Sequence, residues 1–314
     1  MKKFSFPRFL ILSLLTILIS FPAQSKKLSD HSTSFKTQPK KLSDYEIYEY
    51  DLRFTNPQCL EYKYPKNAMV LTNAGNRIFA KPKNVYCSHL DSSFNSKREG
   101  SPTQKFEQWI NDPNTKEVFM AFFSWSNTYL TKAICEAIKT RGLALTAIIS
   151  SNSELEMMNS LNDCWEEGSK TLGNIPKPKL LTRGHEGYIG HAHNKIFIVN
   201  PTTQSFSEIK DPVERNKLKR TTKLAYGSGN FTSGLTLHHE NWHFVTIDRN
   251  SYFAQLHIRC LREGMLEHGR SRREYTDFVK NCRSALGKAG LTPEEDVQVY
   301  LIPAGDQGKE ITKK

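Results

Sequence analysis

The chain has no CxxC pair, no excess of acidic residues and, beyond its first 25 residues, no long apolar run. The missing CxxC spacing excludes a zinc ribbon or finger. The missing apolar run excludes a further membrane span, which needs roughly 20 consecutive apolar residues. No stretch reads as an amphipathic membrane-surface helix. Against 32 Asp and Glu stand 44 Lys and Arg, a net charge of +12. That balance favours a polyanionic partner, nucleic acid or an anionic lipid surface, although a generally basic solvated surface has the same composition.

Residues 1–25 read as a secretory signal peptide. Lys2, Lys3 and Arg8 charge its start, residues 9–19 form a short apolar core, and Ala23-Gln24-Ser25 offers a small-residue cleavage site. Loss of these three basic residues takes the net charge from +12 to +9. The expected location is periplasmic or secreted. Export leaves six cysteines, Cys59, Cys87, Cys135, Cys164, Cys260 and Cys282, an even number suited to disulfides in an oxidising compartment. Free buried thiols are the competing reading. Cys260 with Cys282 is the favoured pair, because two helical patterns fold back there.

Residues 26–44 repeat Lys-Lys-Leu-Ser-Asp and read as a flexible linker. Residues 45–83 read as an irregular extension with a short hairpin around Asn73-Ala74-Gly75-Asn76. From residue 84, strand and helix patterns alternate: a short strand at 85–87, a helix from Ser101-Pro102 to Asn111, an apolar strand in 117–125 and a helix over 128–140 closed by Arg141-Gly142. A buried strand at 143–149, a helix over 152–165 and a strand at 179–182 follow. This alternation predicts an α/β fold, a mixed or parallel sheet covered by helices, as one domain over 84–250 with N- and C-terminal extensions. Helices over 252–268 and 271–286 form the extension 251–290. Residues 291–314 form a tail with a strand-like run at 296–302, either the start of a truncated second domain or an edge strand of the first.

The stretch that carries chemistry begins at His191-Ala192-His193-Asn194-Lys195 and runs through Ile196-Phe197-Ile198-Val199 to Asn200. It resumes at Gly227-Ser228-Gly229-Asn230 and ends on Glu240-Asn241. Paired strands would bring an imidazole, an ammonium, a hydroxyl and an amide together, a set suited to a phosphate diester. The ordered set His-x-Lys, Gly-Ser-x-Asn and Glu-Asn resembles the signature of the phospholipase D superfamily, over roughly residues 84–248. Two features depart from it: Asn200 stands where the family has Asp, and 201–223 is a long insertion. His-x-Lys also occurs once, whereas family sites use two copies.

The resemblance implies a phospholipase D-like fold and a metal-independent phosphodiesterase without cofactor, acting on phospholipid or nucleic acid. It assigns His193 as nucleophile, with Lys195, Ser228 and Asn230 holding the phosphate. Glu240 orients the imidazole, and Asn200, His191 and Asn241 support the site. A homodimer would supply the second histidine across a two-fold axis. The insertion, with Lys210, Arg215, Lys217, Lys219, Arg220 and Lys223, either grips a polyanion beside the cleft or is solvated. His191-x-His193 lacks a third ligand at a metal spacing. A different class also fits: an inactive relative that binds nucleic acid, anionic lipid or a protein partner.

Overall fold

The computed structural model describes residues 40–55, 57–58, 69–71, 77–79, 89–150, 155–183, 193–202, 206–207, 209–269 and 271–299. The signal peptide expected at 1–25, the strand expected at 85–87, Cys59, Cys87 and His191 lie outside them. The strands are β1 (Tyr48–Phe54), β2 (Met69–Leu71), β3 (Arg77–Phe79), β4 (Glu117–Phe122), β5 (Ala144–Ile149), β6 (Lys179–Thr182), β7 (Lys195–Val199), β8 (Thr221–Gly227) and β9 (Asn241–Asp248). The helices are α1 (His89–Lys97), α2 (Pro102–Asn111), α3 (Thr128–Arg141), α4 (Leu155–Leu172), α5 (Pro212–Arg220), α6 (Gly234–Leu237), α7 (Tyr252–Gln255), α8 (Glu263–Glu267) and α9 (Arg272–Lys288). A π-helical stretch, Leu256–Arg262, joins α7 to α8.

The fold is α/β. Seven strands form one mixed sheet in the order β1-β9-β8-β7-β4-β5-β6. β4, β5 and β6 run parallel, and β7, β8, β9 and β1 follow as antiparallel neighbours. β4 is apolar on both faces, the pattern of a strand with helices on each side. On one face Val118, Met120 and Phe122 meet α2, α3 and α4; on the other Phe119 and Ala121 meet Phe253, Leu256 and Cys260. The Phe106 ring anchors α2, lying edge-on to Phe197, Phe231, Trp242 and Phe244 at 4.8–5.7 Å. Burial of each such ring contributes about 1.5–3 kcal/mol.

Local signals set the helix ends. Ser101 caps α2 by accepting from the Thr103 amide, with Pro102 at the first position. Gly142 ends α3 at φ 65, a left-handed backbone that glycine adopts without strain. The hairpin expected around residues 73–76 is present as β2 paired with β3. Cys260 joins Cys282 as expected, and Cys135 joins Cys164 to tie α3 to α4.

Several expectations are corrected. The supposedly irregular 45–83 contains β1, an edge strand paired along its length with β9. The linker's end is not free: Leu42 is buried, and its amide donates to Asp296 Oδ1. Residues 296–299 form no strand, because Asp296 is spent on that bond while Val297 and Val299 cover the second core face. The helices after residue 251 are no appendage; they supply one of the two layers over the sheet. The helix expected at 152–165 runs as α4 to Leu172, past Gly168, whose small size admits Ile175 and the α3 backbone.

Candidate active site

β7 runs against β4, β8 against β7 and β9 against β8, with Lys195 opposite Phe122 and Gly227 opposite Trp242. One edge of the sheet therefore gathers the start of β7, the end of β8 and the start of β9. This is also the edge where the parallel strands end, the usual place for a site in an open α/β sheet. His193, Lys195, Ser228, Asn230, Glu240 and Asn241 all stand there.

Lys195 is 9% exposed, and its ammonium lies 3.1 Å from His193 Nδ1. Burial pulls its pKa below that of an ordinary lysine, and the Glu240 carboxylate partly opposes the shift. The exposed His193 ring leans on Phe123, centroids 5.3 Å apart. Ser228 Oγ donates to Glu240 Oε2 at 2.5 Å and accepts from the Asn241 amide at 3.0 Å. The Ser228 amide donates in turn to the Asn241 carbonyl at 3.1 Å. Asn241 thus meets Ser228 through its backbone.

Two glycines allow this closeness. A Cβ on Gly227 would stand 2.2 Å from the Asn241 carbonyl oxygen, and one on Gly229 would stand 3.1 Å from both Glu240 Cγ and Trp242 Nε1. The turn bearing Asn230 is stitched to the loop after β4, with the Phe231 amide donating to Ser124 O and the Ser126 and Asn127 amides donating to Phe231 O. Among the described residues Asn230 Oδ1 and Trp242 Nε1, both buried, have no hydrogen-bond partner, an uncommon state for buried polar atoms. Thr55, absent from the sequence reading, fastens the loop from α6 to β9. Its amide donates to Glu240 O at 2.7 Å and its hydroxyl to Leu235 O at 2.9 Å.

Asn200 and α5 of the insertion stand elsewhere, α5 in keeping with the solvated reading of that segment. Asn200 closes the far end of β7, roughly 17 Å from Lys195 at the rise of a strand. Its Oδ1 accepts from the Lys116 and Glu117 amides and its Nδ2 donates to Asn114 O, so it secures the sheet and touches no site residue. The insertion after Asn200 likewise leaves β7 at that far edge, opposite Lys223. α5 buries no residue, Arg220 binds Glu46 and Asp248, and Lys223 binds Asp112. His243 on β9 stacks on Tyr226 at 4.9 Å and meets the Tyr50 hydroxyl at 2.7 Å.

No protein-family model and no curated protein sequence matches the chain. Among solved structures, the phospholipase D family member Nuc from Salmonella typhimurium is 18% identical, covering 59% of this chain and 90% of its own, with a TM-score of 0.35. NucT from Helicobacter pylori is 16% identical over 56% and 86%, with a TM-score of 0.30. Phosphatidylserine synthase from Haemophilus influenzae is 10% identical over 63% and 44%, with a TM-score of 0.34.

Proposed function

We propose that this protein is an exported phosphodiesterase of the phospholipase D type. The observation that carries the reading is the meeting of two pairs at one sheet edge, His193 with Lys195 and Ser228 with Glu240. In this reading a His193 ring nitrogen attacks phosphorus, forming a P–N bond as the P–O bond to the leaving group breaks. Water then attacks phosphorus and frees the histidine. Lys195 holds non-bridging oxygens as a fixed cation inside a largely buried setting, where its charge acts more strongly than in water. The Asn230 amide adds a neutral donor, and the Ser228 hydroxyl adds a second when it turns from Glu240 to the phosphate.

Glu240 restrains Ser228 and keeps Lys195 charged. The leaving oxygen needs a proton, and a second His193 from another copy of the chain would provide it, which makes a homodimer part of the proposal. The reading uses no cofactor.

The test is hydrolysis of bis-p-nitrophenyl phosphate in chelator by the mature chain, beside His193→Ala, with light scattering on both. Turnover by a dimer that vanishes in the variant supports the reading. A well-folded chain without turnover, or turnover that survives His193→Ala, refutes it.

A further inference from the structure

β1 carries an apolar row that the described residues leave open. Tyr48, Tyr50, Leu52 and Phe54 are 37%, 46%, 41% and 62% exposed. They stand opposite Ile247, Val245, His243 and Asn241 of β9, and residues directly opposite in an antiparallel pair share a face. Val245 and Ile247 belong to the core layer formed with α7, α8 and α9, so the row continues that face to the sheet edge. Among the described residues no strand pairs with the outer edge of β1. An apolar, unpaired edge is a template for association, and folded proteins usually cover it.

The chain that follows α9 returns to the start of this row. Glu294 accepts from the Tyr45 hydroxyl at 3.3 Å, the Glu295 amide donates to Lys40 O at 3.0 Å, and Asp296 Oδ1 accepts from the Leu42 amide at 2.8 Å. These contacts advance together, 295 with 40 and 296 with 42, so the returning segment runs in the direction that leads residue 42 toward β1. Burial, and after it the Asp296 carboxylate, push up the pKa of the Tyr48 hydroxyl, which places Asp296 near the head of the row. Beyond it Val297 and Val299 are half-buried against the same core layer while Gln298 is exposed, the period of two of an extended chain. Carried forward, that period turns Leu301 inward and Tyr300 outward. Residue 302 follows 296 by the same interval as Phe54 follows Tyr48, and each span measures roughly 20 Å when extended.

We propose that the row is a docking surface for residues 300–302 of the same chain, a strap in which Leu301 packs on Tyr50 and Leu52 and closes the open edge of the sheet. The inference goes beyond the phosphodiesterase reading and does not depend on it. Two other occupants fit less well. A second copy paired edge to edge on β1 would hold the two His193 side chains roughly 35 Å apart, too far to share one phosphate. An anionic lipid surface would meet the Asp296 carboxylate at the head of the row.

The experiment is amide hydrogen exchange on the mature chain from Lys26, as wild type, Leu301→Asp and Tyr300→Asp, with light scattering and binding to phosphatidylglycerol vesicles on each. The expected result is exchange over residues 48–54 about tenfold faster in Leu301→Asp, the scale set by burial of one leucine side chain. Tyr300→Asp keeps the wild-type rate there, and exchange over β4 is the same in all three proteins. Exchange over 48–54 that ignores Leu301→Asp overturns the proposal. So does equal acceleration by Tyr300→Asp, or acceleration that spreads to β4, because a strap with Leu301 inward acts on β1 alone. Protection of β1 found only in a dimer, or only on vesicles, gives the row to a second copy or to lipid and overturns it as well. No turnover enters the readout, so failure of the catalytic reading leaves this test intact.

Discussion

Replacing Asn200 with alanine separates support of the fold from support of the chemistry. The side chain makes three hydrogen bonds, accepting from the Lys116 and Glu117 amides at 2.8 and 3.1 Å and donating to the Asn114 carbonyl at 2.8 Å. The residue is 8% exposed, so water replaces these partners poorly. At about 1 kcal/mol for each lost bond the cost is about 3 kcal/mol. Asn200 also holds φ 52, a left-handed backbone that asparagine tolerates and alanine resists by about 1 kcal/mol or more. The sum, about 4 kcal/mol, lowers Tm by about 8–16 °C in a domain of this size.

Thermal unfolding followed by circular dichroism reads this directly. Asn200→Gly, free of the backbone strain, recovers about 1 kcal/mol of the loss and divides the two causes. Well below the transition, turnover per folded molecule stays at the wild-type level, because the far end of β7 is roughly 17 Å from Lys195. A Tm within about 2 °C of wild type, or turnover lost while the fold is intact, would refute the reasoning.

Turnover should fall on the alkaline side as Lys195 loses its proton, at a pH below the ordinary lysine range because burial depresses its pKa. Glu240→Gln removes the opposing pull of the carboxylate, so the fall moves to still lower pH in a pH–rate profile; a fall at unchanged or higher pH contradicts this. Replacing Cys260 and Cys282 with serine opens a link spanning 22 residues, worth about 3 kcal/mol by chain entropy. A fall in Tm of less than about 3 °C would show that the link adds little.

Most of the central sheet and its helices can be read from the sequence, because short-range rules govern them. The apolar run at 117–122 needs helices on both sides, and Ser101-Pro102 and Gly142 mark helix ends through their own backbone preferences. β1 carries a usable signal too: Tyr48, Tyr50, Leu52 and Phe54 alternate strictly with Glu49, Asp51 and Arg53. Reading it as irregular passes over that period of two. The alternation is unusual because the apolar row faces outward at an edge, with 37–62% exposure.

Other features depend on contacts far apart in the chain. Nothing near Thr55 shows that it holds a loop 180 residues away. The bonds of Asp296 to Leu42 and the cover that Val297 and Val299 give the core likewise override the strand-like pattern of 296–299. Within the site, the order of residues reveals which side chains meet but not how close they come. That closeness is set by Gly227 and Gly229, whose missing side chains let β9 and Glu240 approach Ser228. The place of the insertion, by contrast, follows from pairing alone: a segment that joins antiparallel β7 to β8 must lie opposite the edge that carries His193 and Ser228.

That opposite placement has a consequence for how the chain tolerates change. α5 buries no residue and Val213 on it is 75% exposed, so a change confined to α5 disturbs neither core layer, whereas Phe206 before it is fully buried. Sequence can be gained or lost in α5 at a distance from the other edge of the sheet. The far edge thus combines a permissive helix with the constrained Asn200 beside it. A label, an affinity tag or a whole inserted domain belongs at residues 212–217.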